Sequence, residues 1–494
     1  MADILFTSIS EQNRYLALGI LGLAVLAYVY SAFSTPLAKV PGPWYSLFTG
    51  QVLKYYGVAG KRAKYVHDLH EKYGPIVRVG PEEVDVADVA SVKEIHTVKA
   101  TYTKSPKFYS ALKAPGENVF NTVDIQYHRQ HRKLLSGGFS DASLQSFHPI
   151  VEGRVNLAIE RMAREMETRG VADVFKWWLF MATDVIGELT FGQSFRMLEH
   201  GEKNEYSRNL EKIAVTGAKR SAFPFLAKLA FYGVPIPGFG ENTQVLKNNI
   251  KFATQLLQQY QSLVEQDPNV PVPSLFKRLF KEEEEASMSF NEILAEAQVY
   301  IIAGSDTTAL TLTYLVWRVC GLPEVREKLV KELQQLPVDY HDKDLQHLPY
   351  LNQVIEESLR LHAPAPSALP RVVPPGGATL SGHYLPGGSI VCTQAWTLHR
   401  DPEVFPDPEK FDPSRWVNPT KEMKDLSMPF GGGSRICLGL HLARLELRLA
   451  TARFFRAFPN AERSTREGMT DDDMQQMLYF LAPPKGKRCL IECS

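Results

Sequence analysis

Between Ser289 and Pro323 the chain carries a helix signal that sets terms for everything around it. Ser289 and Glu292 form a Ser-x-x-Glu capping box, in which each side chain satisfies the other's free backbone N–H, and Gly321 followed by Pro323 closes the helix. About 30 residues at ~1.5 Å of rise each make a rod of roughly 45 Å, which must cross the whole molecule. Its apolar surface is nearly continuous from Ile301 to Val319, the pattern of a helix buried on most sides. Burying such a rod takes a large core, and 494 residues supply one with room for a cofactor.

The remaining pattern predicts a mainly α fold with small β-sheets. Helical periodicity runs over 151–169, 175–189, 242–264, 290–320, 323–336, 345–361 and 438–457. Short runs at 76–79 and 83–86 alternate apolar and polar residues between Gly and Pro, as strands do. No internal repeat and no long low-complexity linker divides the chain, so one large domain is the simplest organisation.

From Tyr15 to Phe33 the sequence runs without a charge, close to the ~20 apolar residues that cross a bilayer. It reads as a single transmembrane anchor. A cleaved signal peptide competes, but it needs a basic start, a shorter apolar core and a small-residue cleavage site. The Lys and Arg residues that follow, Lys39, Lys54, Lys61, Arg62 and Lys64, put the C-terminal side in the cytoplasm by the positive-inside bias. Prolines at 41 and 43 then make a stiff hinge. The expected layout is 1–35 N-terminal region with anchor, 36–45 proline-rich hinge, and 46–494 catalytic domain.

Lys plus Arg equals Asp plus Glu at 55 each, so no nucleic acid or other highly charged partner is implied. Five cysteines without CxxC spacing are too few for a disulfide scaffold and favour a reducing compartment. One of them stands out. In Phe430-Gly431-Gly432-Gly433-Ser434-Arg435-Ile436-Cys437-Leu438-Gly439, glycines allow positive φ and close backbone approach, and Cys437 sits at the start of a helix, where the dipole favours a thiolate.

This segment resembles, residue by residue, the Phe-x-x-Gly-x-Arg-x-Cys-x-Gly signature of the cytochrome P450 family, and the chain as a whole looks like its fungal microsomal type. The resemblance implies the cytochrome P450 fold behind a membrane anchor. It also implies that Cys437 is the thiolate ligand of the iron in haem b (iron protoporphyrin IX), with Phe430 packed near the sulfur and Arg435 on a haem propionate. Ala303-Gly304-Ser305-Asp306-Thr307-Thr308, in mid-helix, has small residues that let a flat cofactor approach and an acid beside an alcohol that could pass protons. Taken alone it reads more readily as a kink with Thr hydroxyls bonded back to carbonyls. It resembles the family's oxygen-activation motif, which makes Asp306 and Thr307 the proton-delivery pair. Glu357 and Arg360, one helical turn apart, would ordinarily be a surface pair. The resemblance instead joins them with Arg415 in a buried structural network that holds the cysteine loop, with Trp416 in place of the usual Phe. His128 and Arg132 resemble a Trp-x-x-x-Arg propionate site with His replacing Trp, and Arg371 matches a further propionate-binding Arg.

The implied activity is a haem-thiolate monooxygenase that hydroxylates or epoxidises a lipophilic small molecule, using O2 and NADPH-derived electrons from a cytochrome P450 reductase. Segments 108–120, 367–369 and 478–480, with Tyr300, Ala303, Gly304 and Thr307, would line its pocket. Arg129, Lys133, Arg444 and Arg448 are candidates for docking an acidic reductase surface. Fungal secondary-metabolite biosynthesis at the endoplasmic reticulum membrane, with the catalytic domain facing the cytoplasm, is the implied setting. Alternatives are a haem-thiolate isomerase or dehydratase, a detoxifying or sterol-oxidising enzyme of the family, and a non-enzymatic haem or membrane protein.

Overall fold

The computed structural model describes residues 11–99, 101–112, 116–209, 223–238, 240–267, 272–280 and 288–493. The first ten residues of the expected N-terminal region, and 113–115 of the expected pocket loop, lie outside them. The helices that matter here are α1 (Glu11–Ser34), α2 (Ile125–Ser136), α3 (Asp141–Arg169), α4 (Val174–Phe191), α5 (Phe290–Cys320), α6 (Pro349–Leu361) and α7 (Leu440–Ala457). Strands β1 (Ile76–Gly80), β2 (Glu83–Val86), β3 (Thr103–Lys104), β4 (Arg371–Val372) and β5 (Ile390–Cys392) form one sheet in the order β1-β2-β5-β4-β3. The architecture is mainly α with small sheets.

α5 has the bounds its caps predict: the Ser289 hydroxyl accepts from the Glu292 N–H, and the Glu292 carboxylate accepts in return. α4 lies against it through Gly304, where a Cβ would stand 2.8 Å from Cγ1 of Ile186. Two expected helices differ for reasons of proline chemistry. α3 begins ten residues before the expected start at 151, capped by Ser140 and running through Pro149. The expected helix 345–361 is instead two, Asp342–Gln346 and α6, because Pro349 has no N–H to continue the first and opens the second at its N-terminus.

Every residue of β1 is buried, so the alternation of its sequence does not mark a half-exposed strand. Its polar member, Arg78, turns inward and donates to the carbonyls of Leu37 (3.2 Å), Val40 (3.0 Å) and Pro43 (3.3 Å). The proline-rich segment after α1 is thereby bound to the sheet. Gly42 permits that closeness, since a Cβ there would stand 2.5 Å from the Arg78 carbonyl oxygen.

Candidate functional site

The cysteine loop is a closed hairpin of backbone: the Cys437 N–H donates to the Phe430 carbonyl at 2.9 Å, around a 3-10 turn at Gly433–Arg435. Gly431 (φ +70°) and Gly433 (φ +61°) occupy left-handed backbone, and a side chain on Gly433 would run into the carbonyl of His96. The bulk that these glycines admit is thus partly the chain at 96–97. Gly439 caps α7, and its N–H faces the thiol. Helix-end electrostatics were expected to favour the thiolate, yet burial outweighs both Gly439 and the nearby Arg132 guanidinium and pushes the thiol up. Cys437 has open surface even so. Enclosure together with open surface means that the sulfur faces an internal void.

Ala303 has the same character, an exposed residue between buried Ile301 and Ser305 on a helix that is otherwise well covered. The two open positions mark a space between α5 and the cysteine loop. Thr307 donates its hydroxyl proton to the Ala303 carbonyl at 2.6 Å, the back-bonded arrangement, and Asp306 beside it is half-buried. Gly304 does not serve the void as expected; its missing side chain makes room for Ile186 of α4. Tyr300 also departs from the expected pocket lining, being buried with its ring stacked on Phe276 (5.3 Å) and edge-on to Phe139 (5.7 Å). Thr308 donates to Glu446 of α7 at 2.8 Å, and burial raises that carboxyl to about 8.

Cations converge beside this space. Lys104 on β3 stands directly opposite Arg371 on β4, both buried, a like-charge pairing that costs stability unless an anion answers it. Arg132 donates to the Ile436 carbonyl at 2.7 Å, and Arg435 to the Thr122 carbonyl at 3.2 Å. Burial, then Arg371 and Arg132, lower Arg435 to about 10. Burial, then Arg371, Arg435 and Arg132, hold Lys104 well below its usual value. Burial and Arg435, Lys104 and Arg132 press His128 down to about 3, so its ring is neutral. Among the described residues no carboxylate forms an ion pair with any of these four cations. Lys104 carries no motif of its own in the sequence; only the strand register brings it to Arg371.

Behind the loop, Glu357 and Arg360 are fully buried and bidentate, with both N–H···O distances at 2.8 Å. Glu357 also accepts from the Asp412 N–H (2.8 Å) and from the Trp416 indole (3.0 Å). The indole bond is one that a Phe could not make, so Trp416 adds a contact that the family comparison alone conceals. Arg415 lies close, with Nε 3.4 Å from Glu357, but its hydrogen bond goes to the Asp407 carbonyl at 2.8 Å.

Three of the expected pocket segments meet above: Phe480 stands 6.0 Å from Phe108 and 5.8 Å from Phe120, ring centre to ring centre, and Ser367 donates to the Tyr479 carbonyl. On the outer face, Arg448 is paired to Asp342 by two bonds (2.7 and 2.8 Å) and Arg444 to Glu356, with Phe430 under its guanidinium. These two arginines are therefore already neutralised, which removes them as free docking cations. Arg129 and Lys133 remain exposed on α2.

A long core rod, a glycine-rich cysteine loop ahead of a helix and a void between them define the class of haem-thiolate oxidoreductases. The chain belongs to the cytochrome P450 family, whose model matches residues 40–490. It is 49% identical over 472 residues to the cytochrome P450 monooxygenase tazI of Aspergillus terreus, covering 95% of this chain and 96% of that one. Identity is 44% over 475 residues to orf2 of Aspergillus niger (96% of each chain) and 36% over 482 residues to aflV of Aspergillus parasiticus (95% and 93%), both also cytochrome P450 monooxygenases. Membership carries haem-thiolate iron, O2-dependent monooxygenation and a redox partner with it, and α1 is a candidate membrane anchor.

Proposed function

We propose that this chain is a membrane-anchored monooxygenase that uses haem b, held by Cys437, to hydroxylate or epoxidise a lipophilic small molecule in fungal secondary metabolism. The observation that carries the reading is the cation set of buried Lys104 and Arg371 and half-buried Arg132 and Arg435, which has no carboxylate partner among the described residues and adjoins the void that Cys437 faces. Such a set fits an anionic cofactor, and haem brings two propionates. His128, neutral, would donate one N–H to the same group. Bound there, haem supplies iron-centred activation of O2.

The protein's share of the chemistry is enclosure and proton supply. The Thr307 hydroxyl gives its own proton to the Ala303 carbonyl, which leaves its oxygen lone pairs to accept from a donor in the void. Asp306, half-buried one position earlier, is the acid that would renew such a proton. Phe108, Phe120 and Phe480 keep water from the pocket and favour an apolar substrate. Glu357, Arg360 and Arg415 are structural, bracing the cysteine loop. Residues 36–45 link the anchor to the catalytic domain 46–494. Electrons would come from NADPH through a cytochrome P450 reductase docking near Arg129 and Lys133, at the cytoplasmic face of the endoplasmic reticulum.

Cys437→Ser is expected to abolish the thiolate-type absorption of the reduced carbonyl complex; an unchanged spectrum overturns the ligand assignment. Turnover with reductase, NADPH and isotopically labelled O2 should put one labelled atom into the product. Products free of label would point instead to the isomerase or dehydratase reading.

A further inference from the structure

His399 lies outside every motif considered so far, and it is fully buried. Three hydrogen bonds tie it to Arg360 and Met428. Its Nδ1 stands 2.7 Å from the Arg360 carbonyl, its own carbonyl accepts from the Arg360 guanidinium at 2.7 Å, and its Nε2 stands 2.9 Å from the backbone nitrogen of Met428. The Met428 N–H can only donate and the Arg360 carbonyl can only accept, so Nε2 is the acceptor and Nδ1 carries the proton. One neutral tautomer satisfies both ends. Burial favours that neutral ring and holds its pKa near 3, so the arrangement persists at any working pH.

The bonds continue on both sides. Arg360 is locked by Glu357, as above. Met428 accepts from the Gly431 N–H at 3.1 Å, and Gly431 is the left-handed residue next to Phe430, whose carbonyl receives the Cys437 N–H. An unbroken line of hydrogen bonds and short backbone links thus runs from the Glu357–Arg360 pair to the cysteine.

We propose that His399 is a positioning residue that seats the cysteine loop through Met428 and so sets the direction of the Cys437 sulfur. The proposal rests on the reading of Cys437 as the haem ligand. Among the described residues Arg360 makes no hydrogen bond to the loop itself; its guanidinium is taken by Glu357 and by the carbonyls of His399, Pro408 and Lys410, and its own carbonyl by the His399 ring. The imidazole is therefore the direct side-chain link between pair and loop.

Two conservative variants separate positioning from mere filling. Asn at 399 keeps a donor at the level of Nδ1 and can still bond the Arg360 carbonyl, but it falls short of Met428; Gln has the reach to accept from Met428. In full-length holoprotein matched for haem content, His399→Asn is expected to lower the thiolate-type fraction of the reduced carbonyl complex at least twofold. His399→Gln should fall between it and wild type. Wild-type fractions in both variants overturn the proposal, as does a loss that merely tracks the loss of folded protein in thermal unfolding. A third measurement needs no variant. In the wild-type holoprotein the Met428 amide should exchange its hydrogen as slowly as the interior of α6, and exchange at open-loop rates overturns the proposal. A wild-type protein lacking the thiolate-type absorption would refute the Cys437 ligand reading instead.

Discussion

Among the described residues two helices are long and apolar enough to cross a membrane, one within α1 and the other α5, yet 6% of the apolar window is buried in the first and 61% in the second. Their sequences differ in polar content. From Tyr15 onward α1 carries no charged side chain, whereas α5 holds Glu292, Glu296, Asp306 and a series of hydroxyls. Ser305, Thr311 and Thr313 are satisfied within the helix, bonding back to carbonyls one turn earlier, but two groups need the tertiary structure: the Glu296 carboxylate accepts from the Val119 N–H at 2.6 Å, and Thr308 donates to Glu446 of α7. Apolar length thus suits two solvents, lipid or protein. Polar groups that only the rest of the fold can satisfy decide for protein.

The comparison breaks most sharply on a charge. Ile301→Asp, at a position with no exposed surface, should cost about 4 kcal/mol or more and abolish cooperative unfolding. Ile20→Asp, on the open surface of α1, should leave the unfolding midpoint alone and release the chain from vesicles in a flotation assay. Equal effects on folding would dismiss the distinction. A subtler pair uses added bulk. Gly304→Val meets Ile186 and should cost about 2 kcal/mol in denaturant unfolding, while Gly22→Val, with nothing within 4 Å, should be nearly silent.

A further effect, gradual across several pH units, is on pH dependence, which the uncharged stretch of α1 from Tyr15 onward has no acid to supply. Burial raises Glu446 to about 8, so the folded protein keeps a proton that the unfolded chain releases above the ordinary Glu value. That contribution is complete below about pH 4.5 and is lost as pH rises toward 8, at roughly 1 kcal/mol per pH unit. Glu446→Gln keeps the shape and the Thr308 bond, and it should flatten this slope relative to wild type. Parallel slopes between pH 5 and 8 would show that Glu446 is not the group responsible.

Much of this was legible beforehand because caps, turns and glycines are local. The bounds of α5 follow from Ser289, Glu292, Gly321 and Pro323, and the family from ten residues around Cys437. Proline cut both ways, ending a predicted helix before Pro349 but passing inside α3 at Pro149. What escaped the sequence were contacts made at long range. Lys104 gains its meaning from strand register, Trp416 from a carboxylate 59 residues away, and His399 from a backbone N–H on the loop it braces. Arg444 and Arg448 looked free because Glu356 and Asp342 are distant in the chain.

By itself the sequence determined the helical rod, the anchor-like stretch, the cysteine loop and the family, since each depends on residues close together and on backbone rules that act locally. Only the tertiary structure decided which apolar helix is covered, which cations stand unanswered beside the void and which glycine makes room for a neighbour. Those depend on what lies across a gap in space, where the energy of a buried charge or an added Cβ is set by its neighbours and not by its own identity.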